Sequence, residues 1–289
     1  MYHAKALGRS RHAVFNAGMR ARAIARLVLE NELRLALERG ELTLHYQPIL
    51  DLRTDQITGF EALVRWRHPY RGLVPPSEFI PIAEETGSIV PIGHWVLREA
   101  SAQLARWRQA TDEAKHLTMS VNLSARQFRE KDLASQVGLA LMQAGLEPEA
   151  LKVEITETAL VEDADQALVT LDALRALGVQ VQIDDFGTGY SSLSYLQRFP
   201  VDTLKIDRSF IGRISAGDDS LEIVRSIVNL AHGLGLTVIA EGVETQEQLN
   251  FIKALACELG QGYLISKPLE AERAFEYIVR PVMALLGVG

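Results

Sequence analysis

The chain has 289 residues, 47% of them hydrophobic, and its 37 Asp+Glu against 30 Lys+Arg give a formal charge of −7. That balance speaks against a nucleic-acid polymer as the main ligand. A single cysteine, Cys257, excludes an internal disulfide and fits a reducing compartment. No apolar run approaches the ~18 residues of a membrane span, and the basic first 26 residues lack the apolar core of a signal peptide. The expectation is a soluble, cytoplasmic protein without membrane contact.

In chain order, residues 1–15 (MYHAKALGRSRHAVF) form a piece too small to bury a core of its own. Ala17–Arg39 has helical spacing of Ile24, Leu27, Val28, Leu33, Leu35 and Leu37 among Arg and Glu, and reads as an amphipathic connector that stops at Gly40. The chain then alternates. Strands are expected at Leu42–Ile49, Ile57–Trp66, Leu117–Leu123, Leu151–Thr156, Val179–Asp184, Thr203–Ile206, Thr237–Ala240 and around Gln261–Leu264. Helices are expected at Pro76–Glu85, Pro91–Trp107, Ala125–Ala144, Ala164–Leu177, Leu221–Leu234, Thr245–Leu255 and Ala271–Leu286. Only the first two strands lack a helix between them. Eight strands so connected predict an α/β fold, a (β/α)8 TIM-type barrel with an irregular first strand.

Strand parity sorts the polar residues. Glu61 and Arg65 share one face of their strand, opposite Phe60, Ala62 and Val64; Asn122, Glu154 and Lys205 each alternate with apolar neighbours in theirs. Asp184 and Asp185 end the strand VQVQIDD, Glu241 follows another, and Gln261 begins the last apolar piece. In a parallel barrel the C-terminal strand ends converge on one mouth. Five acids (Glu61, Glu154, Asp184, Asp185, Glu241) would meet there with Lys205 as the offsetting cation, an arrangement that calls for divalent ions. All these donors are hard oxygens, which favours Mg²⁺ or Mn²⁺ over zinc or copper. Singly, each acid is as readily a helix cap or half of an ion pair; the convergence is the signal. Gly187-Thr188-Gly189 lacks the third glycine of a dinucleotide fingerprint, and no G-x-S-x-G elbow is present.

The blocks YQPI (Tyr46–Ile49), EALVRW (Glu61–Trp66), FIPIAEETG (Phe79–Gly87), SVNLSARQF (Ser120–Phe128) and EITET (Glu154–Thr158) resemble the EAL-domain cyclic di-GMP phosphodiesterases. The resemblance runs on through IDDFGTGYSSLSYL (Ile183–Leu196), LKIDRSF (Leu204–Phe210), AEGVET (Ala240–Thr245) and GQGYLISKPL (Gly260–Leu269), spanning about 250 residues in order. It implies a barrel whose first strand runs against the others over 41–289. It also implies hydrolysis of cyclic di-GMP to linear 5′-pGpG with two Mg²⁺ or Mn²⁺ ions, Ca²⁺ being inhibitory. By position, Glu61, Asn122, Glu154 and Asp184 match the ligands of one metal, and Asp184 with Asp185 those of the second. Glu241 and Gln261 complete the shell. Lys205 matches the lysine facing the attacking water or phosphate. Glu157 matches the glutamate that holds the loop Phe186–Ser192. Gln47, Arg65, Asp207 and Pro268 match positions lining the substrate groove. Glu258 and Ile265 depart from the family's usual aspartate and aromatic residue, which bears on the guanine contacts.

Residues 1–15 resemble the end of a GGDEF (diguanylate cyclase) domain, with 16–40 as the interdomain helix. That implies GGDEF and sensor domains upstream in the full-length protein, and with them a route to membrane tethering. Members of the family often dimerise through the barrel, and Ala17–Arg39 offers an apolar helix for a homodimer. The alternative is a catalytically silent EAL domain acting as a cyclic di-GMP receptor; such members are expected to lose ligands, and every ligand position is filled here.

Overall fold

The computed structural model describes residues 17–188, 196–214 and 220–280. Residues 1–15, where the GGDEF resemblance falls, lie outside them, as do 189–192 of the loop after Asp185 and 281–286 of the helix expected to reach Leu286, which already ends at Val279 with Arg280 extended.

Helix α1 (Ala17–Ala36) leads into the hairpin β1 (Leu42–Asp51) and β2 (Gln56–His68), extended by the short β3 (Gly72–Val74). Then come α2 (Pro76–Thr86), α3 (Ile89–Ala110), β4 (Thr118–Leu123), α4 (Ala125–Phe128), α5 (Leu133–Ala144), β5 (Leu151–Thr156), α6 (Glu157–Glu162), α7 (Ala164–Leu177) and β6 (Gln180–Phe186). The chain continues through β7 (Thr203–Ile206), α8 (Arg208–Ile211), α9 (Ser220–Gly233), β8 (Thr237–Ala240), α10 (Gln246–Ala254), β9 (Leu259–Gly260) and α11 (Ala271–Val279).

The sheet order is β1-β9-β8-β7-β6-β5-β4-β2, with β3 appended to β2, and β1 pairs with β2 to close the barrel. β1 is antiparallel to both neighbours, whereas β2 and β4 through β9 run parallel. The hairpin explains this reversal. Asp51 Oδ1 accepts from the backbone N–H groups of Arg53 and Thr54, both at 2.8 Å, and folds the chain back without a crossover helix.

Alternation decides what each strand gives to each side. Phe60, Ala62, Met119, Val121, Val153, Ile155, Val181, Ile183, Leu204 and Ile206 point outward and are buried under the helices. The opposite faces fill the barrel with polar groups: Glu61, Ser120, Glu154, Gln182 and Lys205 are all buried. The apolar core is therefore the ring between strands and helices, and the barrel's interior is reserved for chemistry. Helix α1 joins that ring through Leu29, Leu33 and Ala36. It is pinned by Arg26 to Glu85 and by Glu32 to His68 at 3.0 Å, at the end of β2.

Three expectations from the sequence are corrected. The single helix Ala125–Ala144 is two: Ser124 and Gln127 form a capping box around one turn, and the charged run Arg129–Asp132 has nothing apolar to bury. β3 was not expected; its three residues pair with the last three of β2. The last barrel strand is not Gln261–Leu264 but Leu259–Gly260. Beyond it the backbone bonds go elsewhere. Gln261 N donates to Ala240 O (2.9 Å), Val243 N donates to Gln261 O (3.1 Å), and Ile265 and Ser266 turn back onto Gly262 O.

That turn presses Gly262 against the loop after β8, where an added Cβ would stand 2.2 Å from both Val243 N and Val243 O. Backbone on two sides cannot yield as a side-chain tip would. Gly262→Ala is expected to lower stability by ~2–3 kcal/mol through forced displacement of the Gln261 segment, read as a lower midpoint in urea denaturation.

Candidate metal and phosphodiester site

The C-terminal strand ends bring Lys205, on β7, into a ring of acids. Its Nζ lies 2.6 Å from Glu241 Oε1, 3.2 Å from Asp184 Oδ1 and 3.7 Å from Glu61 Oε2, and it pairs closely with Glu154 Oε2. The lysine is 1% exposed. Burial acts to lower its pKa, but Asp184, Glu154, Glu241 and Glu61 outweigh it and hold the ammonium well above its ordinary value. The acids move the other way. Burial and repulsion from Glu61 raise Glu154 well above the usual carboxylate range against the pull of Lys205. Burial pushes Glu241 up to about 8, with Lys205 opposing.

Asp184 and Asp185 are consecutive, so strict alternation would send them to opposite faces. A register break between β6 and β7 prevents this. Ile183 pairs with Leu204 and Phe186 with Ile206, leaving two residues on β6 against Lys205 alone on β7. This is a β-bulge, the device that re-aims a side chain at a barrel rim. Asp185 takes a left-handed φ of 53°, which an aspartate tolerates better than most residues. As a result Asp184, Asp185 and Glu241 each offer an oxygen within 4.8 Å of the others. Burial first, then Asp184 and Asp207, push Asp185 up to about 6.

A second network aims Glu61. Gln261 Nε2 donates to Glu61 Oε2 (2.6 Å) and to Gln47 Oε1 (3.1 Å), and Asn122 Nδ2 donates to Glu61 Oε1 (2.6 Å). Gln47 is itself anchored to Ser266 O at 3.0 Å. Glu157, buried at the start of α6, accepts from Gly187 N at 3.1 Å and so fixes the backbone immediately after Asp185. Gly187 has a φ of 95°, and a Cβ there would meet the Phe210 ring at 2.9 Å. Thr188 closes the turn onto Asp185 O through its hydroxyl (2.9 Å).

The donor set fits divalent cations. Carboxylates and side-chain amides are hard oxygen ligands. Gln261 Oε1, buried beside the cavity, has no hydrogen-bond partner among the described residues. Uncompensated buried acceptors of this kind are what a cation would satisfy.

The cavity above the ring has a volume of about 190 Å³ and is lined by Gln47, Glu61, Asp184, Glu241 and Gln261 together with Leu63, Arg208, Glu244 and Tyr263. Larger hollows of about 600 and 520 Å³ lie elsewhere, one at the base of the barrel around His116 and Tyr277, the other beside Tyr46 and Trp95. The second is lined by Glu99, Glu270 and Glu272, but the acids whose oxygens converge within 4.8 Å of one another among the described residues are Asp184, Asp185 and Glu241, so the smaller cavity is the one with chemistry. Arg65 and Pro268 are not among its lining residues. Arg65 Nη1 donates to Val64 O (2.9 Å), and Pro268 precedes Leu269, which bridges to Tyr46 of β1. Asp207 is the N-cap of α8, accepting from Ser209 N at 3.0 Å, and stands against Asp185. Glu258 lies at the far end of the barrel, accepting from Val238 N (2.9 Å), so its difference from an aspartate does not touch the mouth.

Arg208, Glu244 and Tyr263 were not picked out from the sequence. Arg208 and Glu244 adjoin Asp207 and Gly242-Val243 in motifs already noted, and Tyr263, 55% exposed, is the aromatic two residues past Gln261. Buried polar residues deeper in the barrel, Ser120 and Gln182, were also passed over, although parity places them in line with Asn122 and Asp184.

Residues 30–268 match the EAL domain. The chain belongs to the EAL domain family. MucR of Pseudomonas aeruginosa, a bifunctional diguanylate cyclase/cyclic di-GMP phosphodiesterase, is 46% identical to this EAL chain over 273 residues, 94% of this chain and 40% of MucR. The cyclic di-GMP phosphodiesterase PdeR of Escherichia coli is 43% identical over 276 residues, 96% of this chain and 41% of PdeR. The solved PaMucR phosphodiesterase in complex with c-di-GMP superposes with a TM-score of 0.82 at 46% identity, covering 86% of this EAL chain and 99% of that one. The chain thus spans about two fifths of the length of MucR and PdeR.

The raised carboxyls set a pH signature. Glu241, at about 8, holds its proton in the folded chain at pH values where an unfolded glutamate has lost it. A raised folded pKa contributes stability that is present at low pH and lost as pH rises toward that value. In chelator, the melting temperature is expected to fall between pH 6 and pH 9, and saturating Mn²⁺ is expected to abolish that fall. A melting temperature that rises over this range in chelator would count against the buried protonated acid.

Proposed function

We propose that this EAL domain hydrolyses one phosphodiester bond of cyclic di-GMP, giving linear 5′-pGpG. The observation that carries the reading is the bulged acid ring: Asp184, Asp185 and Glu241 gathered within 4.8 Å of one another beside Glu61, Glu154 and the buried Lys205. The names of MucR and PdeR and the c-di-GMP complex of PaMucR support the same substrate.

Glu61, Asn122, Glu154 and Asp184 would hold one Mg²⁺ or Mn²⁺, and Asp184 with Asp185 a second, with Glu241 and Gln261 completing the shell. What such ions supply when bound is a lowered pKa for an attacking water and neutralisation of phosphate charge. The chain's own residues do the remaining work. Lys205 supplies fixed positive charge beneath the ring, in a site too dry for water to screen it. Gln261 and Asn122 hold Glu61 in one rotamer. Glu157 keeps the turn at Gly187 in place and with it the position of Asp185. In the reaction a water oxygen forms a bond to phosphorus as the bond to the 3′ oxygen breaks, and the leaving oxygen takes up a proton. Arg65, Gln47, Asp207 and Pro268 are assigned to the substrate groove. Residues 1–15 are assigned to a preceding GGDEF domain, with α1 as the connection.

Glu61→Ala is expected to lower kcat by ~10³-fold or more while leaving the far-ultraviolet circular dichroism unchanged, since Glu61 packs no apolar surface. Conversion of cyclic di-GMP to the linear dinucleotide, followed by ion-exchange chromatography, measures it. Ca²⁺ is expected to support binding without turnover, because its larger and looser coordination positions ligands less strictly than Mg²⁺. Wild-type turnover in Glu61→Ala, or binding without turnover in Mg²⁺ and Mn²⁺ alike, overturns the reading; the second result would mark a receptor.

A further inference from the structure

We infer that Gln182 is a positioning residue for Glu154, acting through one buried water between Gln182 Nε2 and Glu154 Oε1. Both residues are fully buried, point into the barrel and stand in register on adjacent strands, Glu154 on β5 opposite Gln182 on β6. Ser120, 1% exposed on β4, donates its hydroxyl to Gln182 Oε1 at 3.0 Å. With the hydroxyl as donor, Oε1 faces Ser120 and Nε2 keeps both its protons to give. Among the described residues Nε2 has no acceptor, and Glu154, whose Oε2 is taken by Lys205, has no donor to its Oε1.

Among the described residues the barrel interior therefore holds an unpaired donor, Gln182 Nε2, and an unpaired acceptor, Glu154 Oε1, on neighbouring strands with no direct bond between them; Asp184 Oδ1 and Gln261 Oε1, which also lack a hydrogen bond, belong to residues that line the mouth cavity. A buried donor and a buried acceptor left unmade each cost their full desolvation, which a native interior does not carry in pairs without a mediator. A water linking the two satisfies both, since buried waters sit where two or more polar partners converge. The consequence reaches the mouth. With Oε2 on Lys205 and one lone pair of Oε1 on the water, the Glu154 carboxylate has one orientation and keeps its remaining lone pairs for a cation, and Ser120 and Gln182 beneath it act as the outer layer that aims a ligand. Strict alternation in VQVQIDD put Gln182 on the same face as Asp184 from the start.

This rests on the reading of Glu154 as a metal ligand, and the experiment separates the two. Mn²⁺ binding to the 289-residue chain is measured by isothermal titration calorimetry for the wild type, Gln182→Leu and Ser120→Ala. Gln182→Leu keeps the volume and removes the donor; it is expected to weaken Mn²⁺ about tenfold, with the KM for cyclic di-GMP at saturating Mn²⁺ within about twofold of wild type. Ser120→Ala frees the amide to turn over and is expected to weaken Mn²⁺ in the same direction by a smaller factor. A purely space-filling glutamine predicts a lower melting temperature with Mn²⁺ affinity unchanged, and that result overturns the inference. If Gln182→Leu does not fold, Ser120→Ala decides, and wild-type affinity there overturns it. Failure of the wild type to bind Mn²⁺ instead overturns the metal site itself.

Discussion

Lys205 sits where a barrel of this size has no room for error: an ammonium 1% exposed, with four carboxylates around it. Remove the lysine and Glu61, Glu154, Asp184 and Glu241 repel one another in a medium that screens poorly. Remove the acids and a buried cation is stranded. Neither half is tolerable alone, and the strands that carry them (β2, β5, β6, β7 and the end of β8) are each held in the register that keeps the halves together. The charges do not cancel, however. One cation against four acids, five with Asp185, leaves an excess that, with burial, raises Glu154, Asp185 and Glu241 above the ordinary carboxylate range. Divalent cations would relieve that excess.

The bulge at Asp184 and Asp185 gives that excess its geometry. A regular strand would deliver one aspartate to the mouth and one to the helix layer, where a charge has no partner. Two residues against one turn both inward, and the left-handed φ at Asp185 is the local cost. Glu157 then stabilises the strained exit by taking the Gly187 amide. The placement of the second acid thus depends on a residue from a different strand's following helix, which is why Glu157 belongs to the site without touching the ring.

Much of this was legible in the alternation. Leu151–Thr156, Thr203–Ile206, Thr237–Ala240 and Ala164–Leu177 occur with the bounds that their patterns imply, because each is closed by turn or cap residues and has one face to bury. The missing crossover helix between β1 and β2 marked the first strand as irregular, and its antiparallel direction was what the EAL resemblance implied. Gln261–Leu264 misled because its apolar residues sit in a turn against Val243, Tyr263 exposed and Leu264 half-buried, and a short run of strand-like residues does not distinguish a turn from a ladder. The ring of acids was legible as a set, since strand ends converge in any parallel barrel. What alternation hid was the bulge, a departure from period two, and the layer beneath it. Ser120 and Gln182 are neutral, draw no attention as charges, and become visible only when the partners of each buried atom are counted.

The polar interior also bears on which reading the fold favours. A barrel can be filled with Val, Ile and Leu, and a buried charge cluster replaced by apolar side chains of similar volume is often neutral or stabilising by ~1–4 kcal/mol. This chain instead keeps Glu61, Glu154 and Lys205 buried, orders Glu61 with two amide donors and leaves Gln261 Oε1 without a partner among the described residues. Recognition of a nucleotide needs contacts on the cavity wall, at Tyr263, Arg208 or Glu244, and gains nothing from oxygens buried below it. Chemistry at a phosphate does need them. The deep half of the site is costly unless cations arrive there, and that cost supports the proposed turnover over binding alone.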